Sequence, residues 1–292
     1  MNLNGSFDRF RVPPGKSVDL SKYPTDETAP FVDKSEAQQK LADDIDTLAD
    51  LQSKLYAQNV HAVLVVLQGI DASGKDGTVK HVMSGVNPAG CDVKSFKVPS
   101  AEELDHDYLW RYVRALPERG KIGIFNRSYY EEVLVVRVHP ELLGREHIHS
   151  SKKREKLWPT RFRDINNFEQ YLTENGIEVL KFFLHLSKHE QKKRFLSRLD
   201  SADKNWKFSE SDVAERAYWD DYQRAFEDML SHTSSDHAPW YVVPADRKWF
   251  TRVVVADIVA RKMESMKLSY PELDLTGREA LERARLLLDN EP

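Results

Sequence analysis

The chain reads as an α/β protein, a three-layer α/β/α arrangement with a mainly parallel central sheet between helices. Three observations predict this. Mainly apolar runs at 62–67, 121–125, 177–186 and 240–243 are of strand length, and the first holds no polar face at helical spacing. Between them lie stretches whose apolar residues recur three and four apart, so strand and helix alternate almost throughout. A glycine-rich turn follows the first run at once and leads into a helical stretch.

Taken in order, residues 1–34 are rich in proline, glycine and charge and show no period, which predicts an extended arm lying on a neighbour. Residues 35–58 predict a helix. Ser35 stands at the N-cap with Gln38 three residues on, and Ala37, Leu41, Ile45, Leu48, Leu51 and Leu55 form one face. The strand at 62–67 and its turn come next, and 76–84 begins the helix behind them. A short strand is expected at 93–98, closed by Pro99. A helix is expected at 101–116, with Leu104, Tyr108, Trp110 and Val113 near one face and Pro117 ending it. The second core strand, KIGIF, covers 121–125. A charged helix over 151–175 stops at Asn175-Gly176, and the third core strand fills 177–186. A basic helix at 188–199, a polar connector at 200–212 and a helix at 212–230 lead to the strand at 240–243. A long helix at 246–266 precedes a peripheral helical tail, 270–292. With no internal repeat, low-complexity tract or linker, a single domain over 1–292 is expected.

The bulk properties exclude several classes. A chain of 292 residues, 40% hydrophobic and 31% charged, has the composition of a globular protein. No apolar run approaches the roughly 18–20 residues needed to cross a bilayer, and the first residues lack a signal-peptide core, so no membrane role is expected. One cysteine, Cys91, leaves no intrachain disulfide framework and no cysteine-rich zinc site; a reducing, cytoplasmic compartment fits. A formal net charge of −4 argues against a nucleic-acid binder. It permits a polyanionic substrate, because basic clusters occur at 152–156, 161–163 and 192–198, with Lys204 and Lys207 beyond.

The chemistry centres on 69–77, GIDASGKDG. Gly69, four residues, Gly74 and Lys75 give the spacing of a phosphate-binding loop, whose backbone N–H groups, helix N-terminus and lysine converge on phosphate oxygens. Asp76 occupies the position where Ser or Thr ordinarily holds Mg²⁺. Two carboxylates beside a phosphate site, Asp71 and Asp76, would repel the ligand unless a hard cation bridged them. The strand at 121–125 runs into Asn126 and Arg127, where a second metal-binding aspartate is usual. Asn126 has no charge, so Glu131 or Glu132 must supply it. Arg127, at a strand's C-terminal end, points to the ligand crevice of an open α/β sheet and suits phosphate oxygens. The plainer alternatives are that Asp76 caps the following helix and that Arg127 makes a salt bridge. Arg194 and Arg198 share a helix face and, with Lys204, Trp206 and Lys207, suggest a lid closing over phosphates. His147 and His149 lack a third ligand partner. Ser128 lies in no nucleophile elbow, and no hydrolase triad is evident.

These motifs together resemble one family. The loop at 69–77, the segment FNRSYYEEVLVVRV at 125–138, FFLHLSKHEQKKRFLSR at 182–198, WKF at 206–208 and APWYVVPADRKW at 238–249 are similar to the family-2 polyphosphate kinases. Asn126 and the Tyr-Glu-Glu continuation are most like that family's class III. The resemblance implies a P-loop kinase fold close to thymidylate kinase, with a helical lid at about 188–212. It implies Mg²⁺-dependent phosphoryl transfer, with Mn²⁺ as an alternative ion, from inorganic polyphosphate to AMP or ADP, giving ADP and ATP. Guanine nucleotides would be further acceptors, and the chain would form a homo-oligomer, dimer or tetramer. Asp71, Lys75 and Arg127 match the family's essential loop and strand-end residues, and Arg194, Arg198 and Lys207 fall on its lid pattern. Gly69, Gly74, Gly77 and Asn126 complete the expected phosphate and nucleotide contacts. Asp71, Glu131 or Glu132, and Asp76 are expected to hold Mg²⁺ between acceptor and donor. Two other functions remain compatible with the loop: an ATP-dependent nucleotide or metabolite kinase, and a non-catalytic nucleotide- or polyphosphate-binding regulator.

Overall fold

The computed structural model describes residues 7–145, 156–201, 205 and 210–291. Its centre is a five-stranded sheet of β1 (Ala62–Gln68), β2 (Cys91–Ser95), β3 (Ile122–Asn126), β4 (Ile177–His185) and β5 (Trp240–Pro244), in the order β2-β3-β1-β4-β5. Every pairing is parallel; β1, in the middle, aligns Leu67 with Asn126 on one side and with Phe182 on the other. β1 is buried at all seven positions, which explains its unbroken apolar sequence.

The helices are α1 (Lys34–Gln58), α2 (Lys75–Val82), α3 (Ala101–Leu104), α4 (Trp110–Val113), α5 (Val135–Val138), α6 (Leu157–Glu174), α7 (Lys188–Leu199), α8 (Glu210–Ala214), α9 (Trp219–Thr233), α10 (Lys248–Ser265) and α11 (Leu275–Asp289). Side-chain alternation along the strands sorts two cores. Val63, Val65 and Leu67 of β1 join Leu48 and Leu55 of α1 and Val254 and Ile258 of α10 on one face. Leu64 and Val66 join Phe162 and Ile165 of α6 and Phe226 and Met229 of α9 on the other. The expected α/β/α layering is present. Among the described residues no helix is long and apolar enough to cross a membrane.

Several local expectations need correction. Asp33, not Ser35, caps α1: its carboxylate accepts from Ser35 N at 2.8 Å and Glu36 N at 3.1 Å, and its charge suits a helix N-terminus. The helix expected over 101–116 is two short pieces, because the Asp107 carboxylate takes Leu109 N at 2.9 Å in a local turn. β2 ends at Ser95, since Phe96 turns inward onto Tyr112 and Phe125, with centroids 4.5 and 4.9 Å away. The helix expected over 212–230 is divided: α8 and a 3-10 turn at Glu215–Tyr218 bury no residue, and the apolar face begins with α9.

The N-terminal arm, expected on a neighbour, packs on its own chain. Phe7 and Phe10 each set their rings 6.0 Å from Phe250 of α10, and Phe31 lies 6.4 Å from it. Arg11 bridges Tyr241 at the β5 edge, and Val12 N donates to Trp240 O at 2.8 Å. Three phenylalanines give the arm enough apolar surface to bury at home. The terminal α11 buries nothing.

Candidate active site

The phosphate loop leaves β1 at the C-terminal edge of the sheet. Gly69 and Gly74 take φ of 153° and 107°, and a Cβ at Gly69 would lie 2.8 Å from Ser73 Oγ and 2.9 Å from Leu184 O. Both positions therefore require glycine. α2 starts at Lys75, whose ammonium is buried and curls into the loop, donating to Gly69 O at 2.6 Å and Ile70 O at 3.3 Å. Burial, reinforced by the nearby Arg127 charge, pulls the Lys75 pKa down to about 8, against the opposing pull of Asp71, Glu131 and Asp76.

Arg127 follows β3 directly, with φ 64° in the left-handed region, a conformation that costs a non-glycine residue roughly 1 kcal/mol or more. Its N–H donates to Leu67 O at 3.1 Å, tying the strand end to β1. The guanidinium spans two carboxylates, with Nη2 to Asp71 Oδ1 at 2.5 Å and Nη1 to Glu131 Oε2 at 3.1 Å. Its pKa is raised, by Glu131 first and then by Asp71, against the cost of burial. Asn126 Nδ2 donates to Asp76 Oδ1 at 2.6 Å.

The two adjacent glutamates diverge. Glu131 pairs with Arg127, whereas Glu132 is buried against Arg161, which donates to its backbone oxygen at 2.7 Å and lies 3.5 Å from Oε2. The four carboxylates expected around a cation thus line one cavity without forming a cage. Among the described residues no three His, Cys, Asp or Glu side chains are grouped to hold a metal.

Arg194 and Arg198 have different surroundings. Arg194 is buried and donates to Ala72 O at 2.9 Å, Ser73 O at 3.0 Å, Ala245 O at 2.6 Å and Asp246 O at 3.2 Å, with Nε on Glu190. It joins the phosphate loop to the β5–α10 turn. Gln191 Nε2 adds a bond to Asp71 O at 2.9 Å. Arg198 lines the cavity, 3.8 Å from Asp212. His147, His149, Lys204, Trp206 and Lys207 lie outside the described residues.

The loop opens into a cavity of about 1480 Å³. Its lining includes the cations Lys193 and Arg198 of α7 and Lys248 and Arg252 of α10. It also includes Phe96, Leu104, Tyr108, Tyr112, Val135 and Val136, with Arg111 over the Phe96 ring and Arg161 over that of Tyr108. Sequence reasoning missed Lys248 and Arg252, although their spacing of four on a predicted helix would have placed them on one face. It also missed the aromatic residues of the lining: Phe96 follows β2, Tyr108 lies between α3 and α4, and Tyr112 is in α4. The enclosure brings together an anion-binding loop, cationic side chains and apolar, aromatic ones, the environments that a nucleotide and a second phosphate chain would occupy together.

The family model for polyphosphate kinase 2 matches residues 31–271. The chain belongs to that family. It is 53% identical over 278 residues to an ADP-polyphosphate phosphotransferase of Rhodopseudomonas palustris, covering 95% of this chain and 96% of the relative. It is 43% identical over 265 residues to an AMP/ADP-polyphosphate phosphotransferase of Meiothermus ruber, covering 90% and 95%. The crystal structure of polyphosphate kinase 2 from Arthrobacter aurescens superposes with a TM-score of 0.84 at 36% identity, over 94% of this chain and 95% of that one. The P-loop kinase fold expected from the family-2 resemblance is the one present.

Proposed function

We propose that this chain is a phosphotransferase that moves the terminal phosphoryl group of inorganic polyphosphate onto AMP and ADP, yielding ADP and ATP. The observation that carries this reading is that the phosphate loop lines one cavity together with cationic side chains and apolar, aromatic ones. The cations suit a repeating polyanion, and the aromatic rings suit a nucleoside.

The acceptor oxygen of a nucleotide phosphate is already anionic near neutral pH, so the reaction needs positioning and charge neutralisation more than a general base. Lys75, at the bottom of the loop, neutralises charge on the transferred group. Arg127, fixed between Asp71 and Glu131, presents its remaining N–H groups to phosphate oxygens. Lys193, Arg198, Lys248 and Arg252 hold the donor chain. α7 and the segment after it, to about residue 212, act as a lid that excludes water. Lys207 belongs to that lid.

The loop carboxylates fit a divalent cation. Mg²⁺ is commonly bound by one or two carboxylates together with substrate phosphates, so a preformed cage is not required. Asp71 and Asp76, on the loop, would hold Mg²⁺ or Mn²⁺, with Glu131 near Asp71 across the Arg127 guanidinium and Glu132 turned towards Arg161, and the ion would supply charge neutralisation. Guanine nucleotides as further acceptors, a cytoplasmic location, a single functional domain and a dimeric or tetrameric assembly complete the reading by family resemblance.

Exchanging the donor tests the proposal. The enzyme is incubated with ADP and either polyphosphate or GTP, and the products are separated by chromatography. ATP formed with polyphosphate alone supports it. ATP formed only with GTP would make the chain a nucleotide-dependent kinase, and binding of both ligands without transfer would make it a regulator.

A further inference from the structure

Beneath the turn that carries Glu131 lies a buried polar network with no role in binding substrate. Lys181 of β4 and Glu169 of α6 are both completely buried, on the face of the sheet occupied by Val179 and Phe183. Lys181 Nζ uses all three donors: Glu169 Oε2 at 2.5 Å, Tyr130 Oη at 2.9 Å and Thr233 O at 2.6 Å. Glu169 Oε1 accepts from the Tyr129 and Tyr130 hydroxyls, each at 2.8 Å. The ammonium also lies 5.3 Å from the Tyr130 ring centre and 5.2 Å from that of Trp240.

A buried pair of this kind is weak evidence for stabilisation. Removing two charges from water is costly, and well-packed apolar residues of similar volume often serve as well or better. What the network does provide is a fixed orientation. Tyr129 and Tyr130 stand in sequence between Arg127 and Glu131, and both hydroxyls end on one carboxylate oxygen. The 3-10 turn Tyr129–Val133 is thereby fastened to β4, α6 and the end of α9. Ser128, also buried, takes Gln68 Nε2 at 3.2 Å and adds a link to β1. The contact between Arg127 and Glu131 therefore stands on a rigid base.

We propose that Glu169, its charge balanced by Lys181, is a positioning residue: through the Tyr129 and Tyr130 hydroxyls it sets the turn on which Arg127 and Glu131 meet, and hence the rate of phosphoryl transfer. The proposal rests on the reading of Arg127 as a residue of the reacting site.

Two charge-free variants isolate the anchor. In Glu169→Gln/Lys181→Met the amide oxygen can still accept from both tyrosines. In Glu169→Met/Lys181→Met it cannot. The first should keep kcat within ~3-fold of wild type, and the second should lose ~10-fold or more in kcat with KM for ADP and polyphosphate within ~2-fold, as expected for a contact realised in the transition state. Tyr129→Phe/Tyr130→Phe, which retains the charged pair, should lose kcat like the second variant and guards against misfolding of either. Equal kcat in both charge-free variants, or activity that merely follows melting temperature across all three, would overturn the proposal. Arg127→Ala, measured alongside, separates the two readings. If it remains active, the assignment of Arg127 fails; if it is inactive while the tyrosine variant is unimpaired, only the anchor fails.

Discussion

Asn126 donates its side-chain amide to the Asp76 carboxylate at 2.6 Å, across fifty positions of sequence. Each residue departs from the common phosphate-loop pattern, one replacing a hydroxyl and the other an acid. The structure makes the two departures a single contact. With an aspartate at 126, two carboxylates would meet at hydrogen-bonding distance and repel each other. The neutral amide instead gives the Asp76 carboxylate a donor.

Asn126→Asp should therefore be damaging although it restores the usual acid. A loss of ~10-fold or more in kcat at neutral pH is expected from the like-charge contact. Adding Asp76→Ser should recover part of it, with an altered Mg²⁺ titration. Turnover of the single variant equal to wild type would remove the pairing from the account.

Lys75 gives a pH prediction. Its folded pKa of about 8 lies below the ordinary 10.5, so the folded state binds this proton more weakly than the unfolded one. The charged lysine thus disfavours folding fully below pH about 8, and the penalty fades as pH rises from there towards 10.5. Lys75→Met should abolish transfer while melting no lower than wild type at pH 7. In the free wild-type enzyme, kcat/KM for polyphosphate should fall as pH rises through about 8, where the ammonium is lost. Retained turnover in the variant, or a rate flat to pH 10, would be inconsistent with this role.

Arg194 and Arg198 share a helix but should fail differently. Arg194 supports four backbone carbonyls, so Arg194→Lys should lower the melting temperature and kcat with little change in KM for polyphosphate. Arg198→Ala should raise that KM by ~5-fold or more through loss of one charge-assisted contact, with melting unchanged. The reverse pattern would mean that Arg194 reaches the donor.

The α10 cations extend the donor track. Lys248→Met/Arg252→Met should raise KM for long-chain polyphosphate by ~10-fold or more, affect KM for ADP by less than ~2-fold, and weaken the salt dependence of donor binding. Titrations of KM against salt with donors of two lengths measure this directly.

The sequence carried much of the architecture because apolar period and glycine spacing are local signals. The run through β1, the loop glycines, α7 and the strand ending at Asn126 could all be read that way. What could not be read depends on distant partners. The meeting of Asn126 with Asp76 and the divergence of Glu131 and Glu132 towards two arginines are tertiary contacts. So is the collapse of Arg194 onto carbonyls of the loop and of the turn after β5. The arm was misplaced because proline and charge obscured what Phe7, Phe10 and Phe31 could bury together against Phe250. The helix at 101–116 was overextended because Asp107 offers its neighbours a competing turn.

The most direct measurement follows nucleotides by chromatography after incubating the enzyme with Mg²⁺, long-chain polyphosphate and AMP as sole acceptor, beside a Lys75→Met control. The account predicts ADP first and ATP after it, with neither formed by the control. No phosphorylated product from AMP in the wild-type reaction, or equal product in the control, would contradict it.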